Sequence, residues 1–228
     1  CINLSAIIFI VALTLVARTQ AAYWHNGETL WGRGLSLYPE SGVIHFYMAT
    51  FLFRQERFEE ALPHLQTTVR LLPTYAEPHF QLGLILAQNG ATDEAIEQFR
   101  AAITFGYDTG LVHSRLGSAL SRKGHSDEAL KEFQNAISLQ PDLAEAESNI
   151  GEILLSRGDS SGALAHFRKV VALAPNNPTA HYNLAVNLGA LDRTPEAIDE
   201  FETTLKLDPN YPDARENLAS LKAKGSGN

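Results

Sequence analysis

Cysteine is almost missing from this chain of 228 residues: Cys1 is the only one. No internal disulfide can form, and no cluster of thiolates can hold a metal. The shortage leaves cytosol, periplasm and lumen equally open. Basic residues are also few. Lys and Arg number 18 against 26 Asp and Glu, a formal net charge of −8, and they are scattered singly, with Arg122-Lys123 and Arg168-Lys169 the densest pairs. Neutralising a nucleic-acid backbone requires cations gathered on one face, so the chain is not expected to bind nucleic acid. A nucleophile elbow, a phosphate-cradling glycine loop, a zinc-protease helix and a paired-carboxylate motif are all missing. The chain therefore reads as non-enzymatic, with no cofactor and no metal. An initiating Met is missing too. A chain opening on Cys1 reads as a fragment, and a lipidated cysteine fits poorly because more apolar sequence follows instead of a polar tether.

What the chain does contain is a period. Ala61, Ala95, Ala129, Ala163 and Ala197 lie 34 residues apart. Phe99, Phe133, Phe167 and Phe201 keep the same step, with Leu65 ahead of them. Pro73, Pro141, Pro175 and Pro209 keep it as well, with Tyr107 in the vacant slot and Pro39 one step earlier. A fixed step of this length means helical hairpins stacked one on the next, each burying the apolar face its neighbour leaves open. At 45% apolar residues, the chain has the composition of a folded protein rather than a disordered one.

Five units follow from the step: 42–75, 76–109, 110–143, 144–177 and 178–211. Each holds two helical patterns. Thr92, Ser126, Ser160 and Thr194 share one phase and are expected to cap the second helices, with acids such as Asp93-Glu94 in the first turn. The repeat prolines end those helices, and Pro63 inside one of them predicts a kink. Residues 212–224 read as a capping helix and 225–228 as a flexible tail. Ahead of the repeats, residues 1–22 carry no charge before Arg18 and read as an apolar membrane-spanning helix, slightly short of a full span. Tyr23 and Trp24 fall where interfacial aromatics belong. A signal-peptide core and a buried helix are the competing readings. Residues 23–41 form a junction, with a helix expected over Glu28 to Leu37 and Pro39 closing it.

The registers resemble the tetratricopeptide repeat (TPR). Leu82-Gly83, Leu116-Gly117 and Ile150-Gly151 match its Leu-Gly pair, with Met48-Ala49 and Leu184-Ala185 as departures, and Ala, Phe, Ala and Pro follow on the second helix. His45, His79, His113, Glu147 and His181 stand where the pattern has an aromatic. The resemblance implies an all-α fold, a right-handed solenoid of antiparallel helix pairs preceded by the apolar helix. A narrower resemblance rests on Gln20, Tyr23-Trp24, Glu28-Thr29-Leu30-Trp31 and Pro39 running straight into repeats. This is similar to the C-terminal part of bacterial multi-pass membrane TPR proteins related to the transmembrane-and-TPR O-mannosyltransferase family. It implies a glycosyltransferase whose catalytic part lies upstream of Cys1, with the repeats outside the cytoplasm, periplasmic or luminal.

Candidate binding residues come from phase. Tyr47, Gln81, Arg115, Asn149, Asn183 and Asn217 share one position, which faces the concave groove in TPR arrays. O-linked GlcNAc transferase carries a similar asparagine ladder gripping an extended peptide. An amide both donates and accepts, so it can match a peptide unit of any sequence. Beside this ladder, Phe46, Phe53, Phe80 and Leu84 make the N-terminal half apolar. Ser114, Ser118, Ser148 and Glu152 make the middle polar, and Tyr182 ends the strip. A protein or peptide segment is the expected partner; the bland alternatives are a solvated ladder and phenylalanines that pack on the junction. The in-phase histidines are about one helix-pair thickness apart, on the order of 10 Å, whereas a metal–nitrogen bond is about 2 Å, so one ion cannot join them.

Overall fold

The structure is a computed structural model that describes residues 27–225, and among these there are twelve α-helices and no strand. The 1–22 segment lies outside the described residues, as do 226–228. Among the described residues, no helix is long and apolar enough to cross a membrane. The chain divides between Tyr107 and Asp108 into two compact units.

In the first unit, α1 (Gly27–Leu37) packs on α2 (Gly42–Arg54), which forms a hairpin with α3 (Phe58–Leu71); α4 (Ala76–Gln88) and α5 (Thr92–Thr104) form the next, and α3 packs on α4. The second unit stacks three hairpins: α6 (Gly110–Arg122) with α7 (Ser126–Leu139), α8 (Ala144–Ser156) with α9 (Ser160–Leu173), and α10 (Pro178–Ala190) with α11 (Thr194–Leu207). Helix α12 (Ala214–Gly225) lies on α11.

One contact recurs inside the hairpins. Phe99, Phe133 and Phe167 are 0–1% exposed, and each ring lies on the backbone of the facing helix at a glycine. A Cβ built on Gly83 would stand 2.6 Å from the Phe99 ring, and one on Gly117 or Gly151 would stand 2.8 Å from Phe133 or Phe167. The glycine of the Leu-Gly pair is thus the floor on which the phenylalanine rests. Where Ala49 takes the glycine's place, the smaller Leu65 stands in the ring's slot, fully buried. The five alanines of the period are all 0% exposed, close-packed in the hairpin interiors.

The turn between the two helices of a hairpin needs a left-handed residue. Gly90, Gly124 and Gly158 take it at φ of 79–80°, while Glu56 and Asp192 occupy the same slot at 60° and 56°. That conformation costs a non-glycine residue about 1–2 kcal/mol. The second helices begin one residue earlier than the capping expectation. Thr92, Ser126, Ser160 and Thr194 are their first helical residues, and Ala91, His125, Asp159 and Arg193 precede them. Of these four, only Asp159 caps with its side chain, accepting from the Gly162 N–H at 2.8 Å. Helix α3 continues as one element through Pro63.

A second, polar contact runs at the same step. The first-helix residue of each hairpin reaches a partner 19 residues on: His45–His64 at 2.8 Å, His79–Gln98 at 2.7 Å, His113–Glu132 at 2.5 Å and His181–Glu200 at 2.6 Å. The other ring nitrogen of His45, His79 and His181 donates to the carbonyl of Pro39, Pro73 and Pro175 at 2.9 Å; that of His113 meets Asp108 at 2.8 Å. In α8 the pair is inverted. Glu147, 1% exposed, meets His166 at 2.6 Å and Lys169 at 2.5 Å. A buried carboxylate is tolerable because both oxygens are paired.

Burial, and the His45 ring beside it, hold His64 below its ordinary range. His45 already donates its Nε2–H to a carbonyl, so its Nδ1 accepts from His64; a further proton would set two N–H groups against each other. The unfolded chain takes a proton at this site near 6.5, and the folded chain only at lower pH. The contribution of this pair to stability is therefore full above that pH and declines as the solution is acidified. Urea titrations at about pH 7.5 and 5.5 should show a steeper acid loss for the parent than for His64→Gln, which places the amide found at position 98 there; equal losses would contradict the pairing.

Asn187, fully buried, has neither amide atom hydrogen-bonded. Its slot in the period holds Ile85 and Ile153, both buried. Asn187→Ile should raise the unfolding free energy by about 1–3 kcal/mol in a denaturant titration, since an unsatisfied amide is replaced by the apolar group the slot accepts. Phe133→Ala should lower it by about 3–5 kcal/mol in the same measurement.

Candidate peptide-binding cleft

The polar middle of the chain becomes a cleft in the second unit. Two rows of the period explain why. At one row stand Phe46, Phe80, Ser114, Ser148 and Tyr182; at the other, 29 residues on and just ahead of the following first helix, stand Tyr75, Thr109, Leu143, Asn177 and Tyr211. Large rings at both rows meet: Phe46 and Tyr75 have centroids 4.8 Å apart, and Tyr182 and Tyr211 are 4.9 Å apart. Between α8 and α10 the corresponding residues are Ser148 and Asn177. No ring fills the space there, and a cleft of about 450 Å³ opens.

The cleft's lining mixes polar and apolar side chains. Ser118, Ser148 and Thr179 bring hydroxyls, Asn149, Asn177 and Asn183 amides, and Glu145 and Glu152 carboxylates; Ala144, Val170 and Ala180 supply apolar surface. Asn177 also caps α10 through Thr179 N–H, at 3.0 Å. Glu152 accepts from Ser148 Oγ at 3.1 Å and Asn183 Nδ2 at 3.2 Å. Asn149 donates to the Glu145 carbonyl one turn back at 2.8 Å. Each asparagine uses one N–H in these bonds and leaves its carbonyl oxygen for a visitor. Arg115 sits beside the cleft, ion-paired with Glu145 at 2.5 Å.

The other ladder residues lie elsewhere. Asn217 donates to the Tyr182 hydroxyl at 3.2 Å and edges a smaller cleft of about 240 Å³ with Val186 and Leu221. The Tyr182 hydroxyl is pushed up by burial and by Asp213. In the first unit, Gln81 is 8% exposed and exchanges 3.4 Å contacts with Thr50. Phe46 and Phe80 are 4% and 6% exposed, the first under Tyr75 and the second between Phe99 and Tyr107, so their rings serve packing. Tyr47, at the head of the ladder, is stacked on Trp31 of α1 at 4.9 Å. The paired rows that open the cleft, and Asn177 and Thr179 in particular, escaped the reading of single registers. Their signal was present in the sequence as the one pair of the five, Ser148 and Asn177, that is polar at both rows.

Comparison with known proteins concerns the fold. A family model described as Tetratricopeptide repeat matches residues 48–108 and 114–178, and a second with the same description matches 154–224. No curated protein matches the chain. Among solved structures, the chain is similar to YrrB, described as a TPR protein with an unusual peptide-binding site: 22% identity over 82% of this chain and 96% of that one, TM-score 0.71. It is similar to MamA of Desulfovibrio magneticus RS-1, at 20% identity over 75% and 97% of the two chains, TM-score 0.67. PilF of Pseudomonas aeruginosa gives 18% identity over 80% and 89%, TM-score 0.63. With family models covering most of its length and helical hairpins repeating at the step those models describe, this chain belongs to the tetratricopeptide-repeat family.

Proposed function

We propose that the chain is a non-catalytic interaction module that captures a polypeptide segment in the cleft between α8 and α10. The observation that carries this reading is the convergence of Asn149 and Asn183 on one open, hydroxyl-lined space. Amide carbonyls at successive hairpins can accept from the N–H groups of an extended segment whatever its sequence, while the serine hydroxyls can serve its carbonyls. The peptide-binding site named for YrrB is a likeness in the same direction.

Residues 1–22 supply the second part of the reading, a membrane anchor that holds the repeats on the extracytoplasmic side. The uncharged run before Arg18 supports the anchor, and the Tyr23-Trp24 pair supports its boundary. The side rests on the narrower family resemblance. That resemblance also favours a second reading: the chain is the substrate-holding tail of a membrane glycosyltransferase of the O-mannosyltransferase type, catalytic upstream of Cys1. Helix α1 fits such a tail, because Trp31 stacks on α2 and Arg57 clamps Glu28 through two bonds of 3.0 and 3.1 Å, leaving little slack ahead of the first hairpin.

The double change Asn149→Ala and Asn183→Ala should weaken capture of peptides selected on the parent chain by roughly 10-fold, as two hydrogen-bonding side chains are removed. Its circular dichroism should match the parent. Undiminished capture by a fully helical variant would reject the cleft as the site.

A further inference from the structure

Resting on the peptide-capture reading, we infer that the segment accepted by this cleft carries a lysine or arginine, seated against Glu152. Three observations lead there. Glu152 lies on the cleft wall, exposed, and its only partners are the neutral Ser148 hydroxyl and Asn183 amide. No cation of the described residues neutralises it. Several other glutamates of this unit do have such partners: Glu145 has Arg115, Glu147 has His166 and Lys169, Glu196 has Arg168 and Arg193, and Glu202 has Lys222.

The second observation is shape. The space beside Ser148 and Asn177 is lined by the apolar Ala144, Val170 and Ala180 together with polar side chains. A long aliphatic stem with a charged tip fits such a mixed lining, because Lys and Arg lay their methylenes on apolar atoms while the head stays with polar ones. The third is preorganisation. The bonds from Ser148 and Asn183 hold the Glu152 carboxylate before any ligand arrives, so little side-chain freedom remains to be lost when the cation docks. The chain's net charge of −8 adds long-range attraction of the same sign. An acidic segment would meet Glu145 and Glu152 with only Arg115 to offset them, and is disfavoured.

A random dodecapeptide library displayed on phage, selected on the full chain, tests this. Peptides enriched on the parent should be rich in Lys and Arg. Their affinity should fall about 10-fold on Glu152→Gln, as expected for removing one member of a partly desolvated charge pair, and the same loss should follow when the basic residue of the peptide is replaced by Gln. Binding by Glu152→Gln should also depend less steeply on salt than binding by the parent. Enriched peptides without basic residues that still require Asn149 and Asn183 would overturn the cationic partner and leave the cleft standing. Basic peptides that bind Glu152→Gln as well as the parent would overturn it too. Peptides indifferent to Asn149→Ala with Asn183→Ala, or no enrichment at all, would overturn both.

Discussion

The phenylalanine ring resting on a facing glycine sets the geometry of the hairpins in both units. Removing the Cβ at Gly83, Gly117 and Gly151 lets two helices approach until Phe99, Phe133 and Phe167 are sealed from water. The buried alanines one turn away on the same helix keep the gap narrow on the ring's flank. Close approach of this kind is cohesive but weakly directional, since apolar contact gains little from one rotation over another. Something else must fix how the helices turn against each other.

The polar cross-links do this. Each joins a first helix to its partner helix, and where a histidine stands in the first helix the ring reaches back as well, to a proline carbonyl or to Asp108. A hydrogen bond has a narrow angular range, so two bonds on one rigid ring define both spacing and rotation. The apolar contact thus supplies cohesion and the ring supplies alignment. With the alignment set, first-helix residues 34 apart come to equivalent places, and Ser148 and Asn183 can hold Glu152 from two different helices.

Much of the fold could be read directly because a period is a redundant signal. Ala129 alone says little, whereas five alanines at one step leave few architectures. The same redundancy explains why α1 and α12 emerged at the ends, where the pattern is half present. Local capping was read one residue late because Thr92, Ser126, Ser160 and Thr194 have the right chemistry in the wrong backbone slot; the preceding left-handed residue sets the entry of the helix, not the hydroxyl. Burial was the weakest inference. Phase assigns a side chain to a face, not to a depth, and Gln81 sits deep because Thr50 of α2 covers it. Asn149 and Asn183 stay accessible because the pair between α8 and α10, Ser148 and Asn177, carries no ring to cover them. That absence belongs to two rows taken jointly, and neither row alone reveals it.

The inverted lock in α8 and α9 bears on how such a chain can be rearranged. Each hairpin carries both halves of its own cross-link, so whole hairpins can be duplicated, deleted or transplanted with their alignment intact. Exchange of single helices is different. Joining α8 to α7 would set Glu147 against Glu132, and joining α6 to α9 would set His113 against His166 and Lys169. For α8 and α9, the hairpin rather than the helix is the smallest piece that recombination can move.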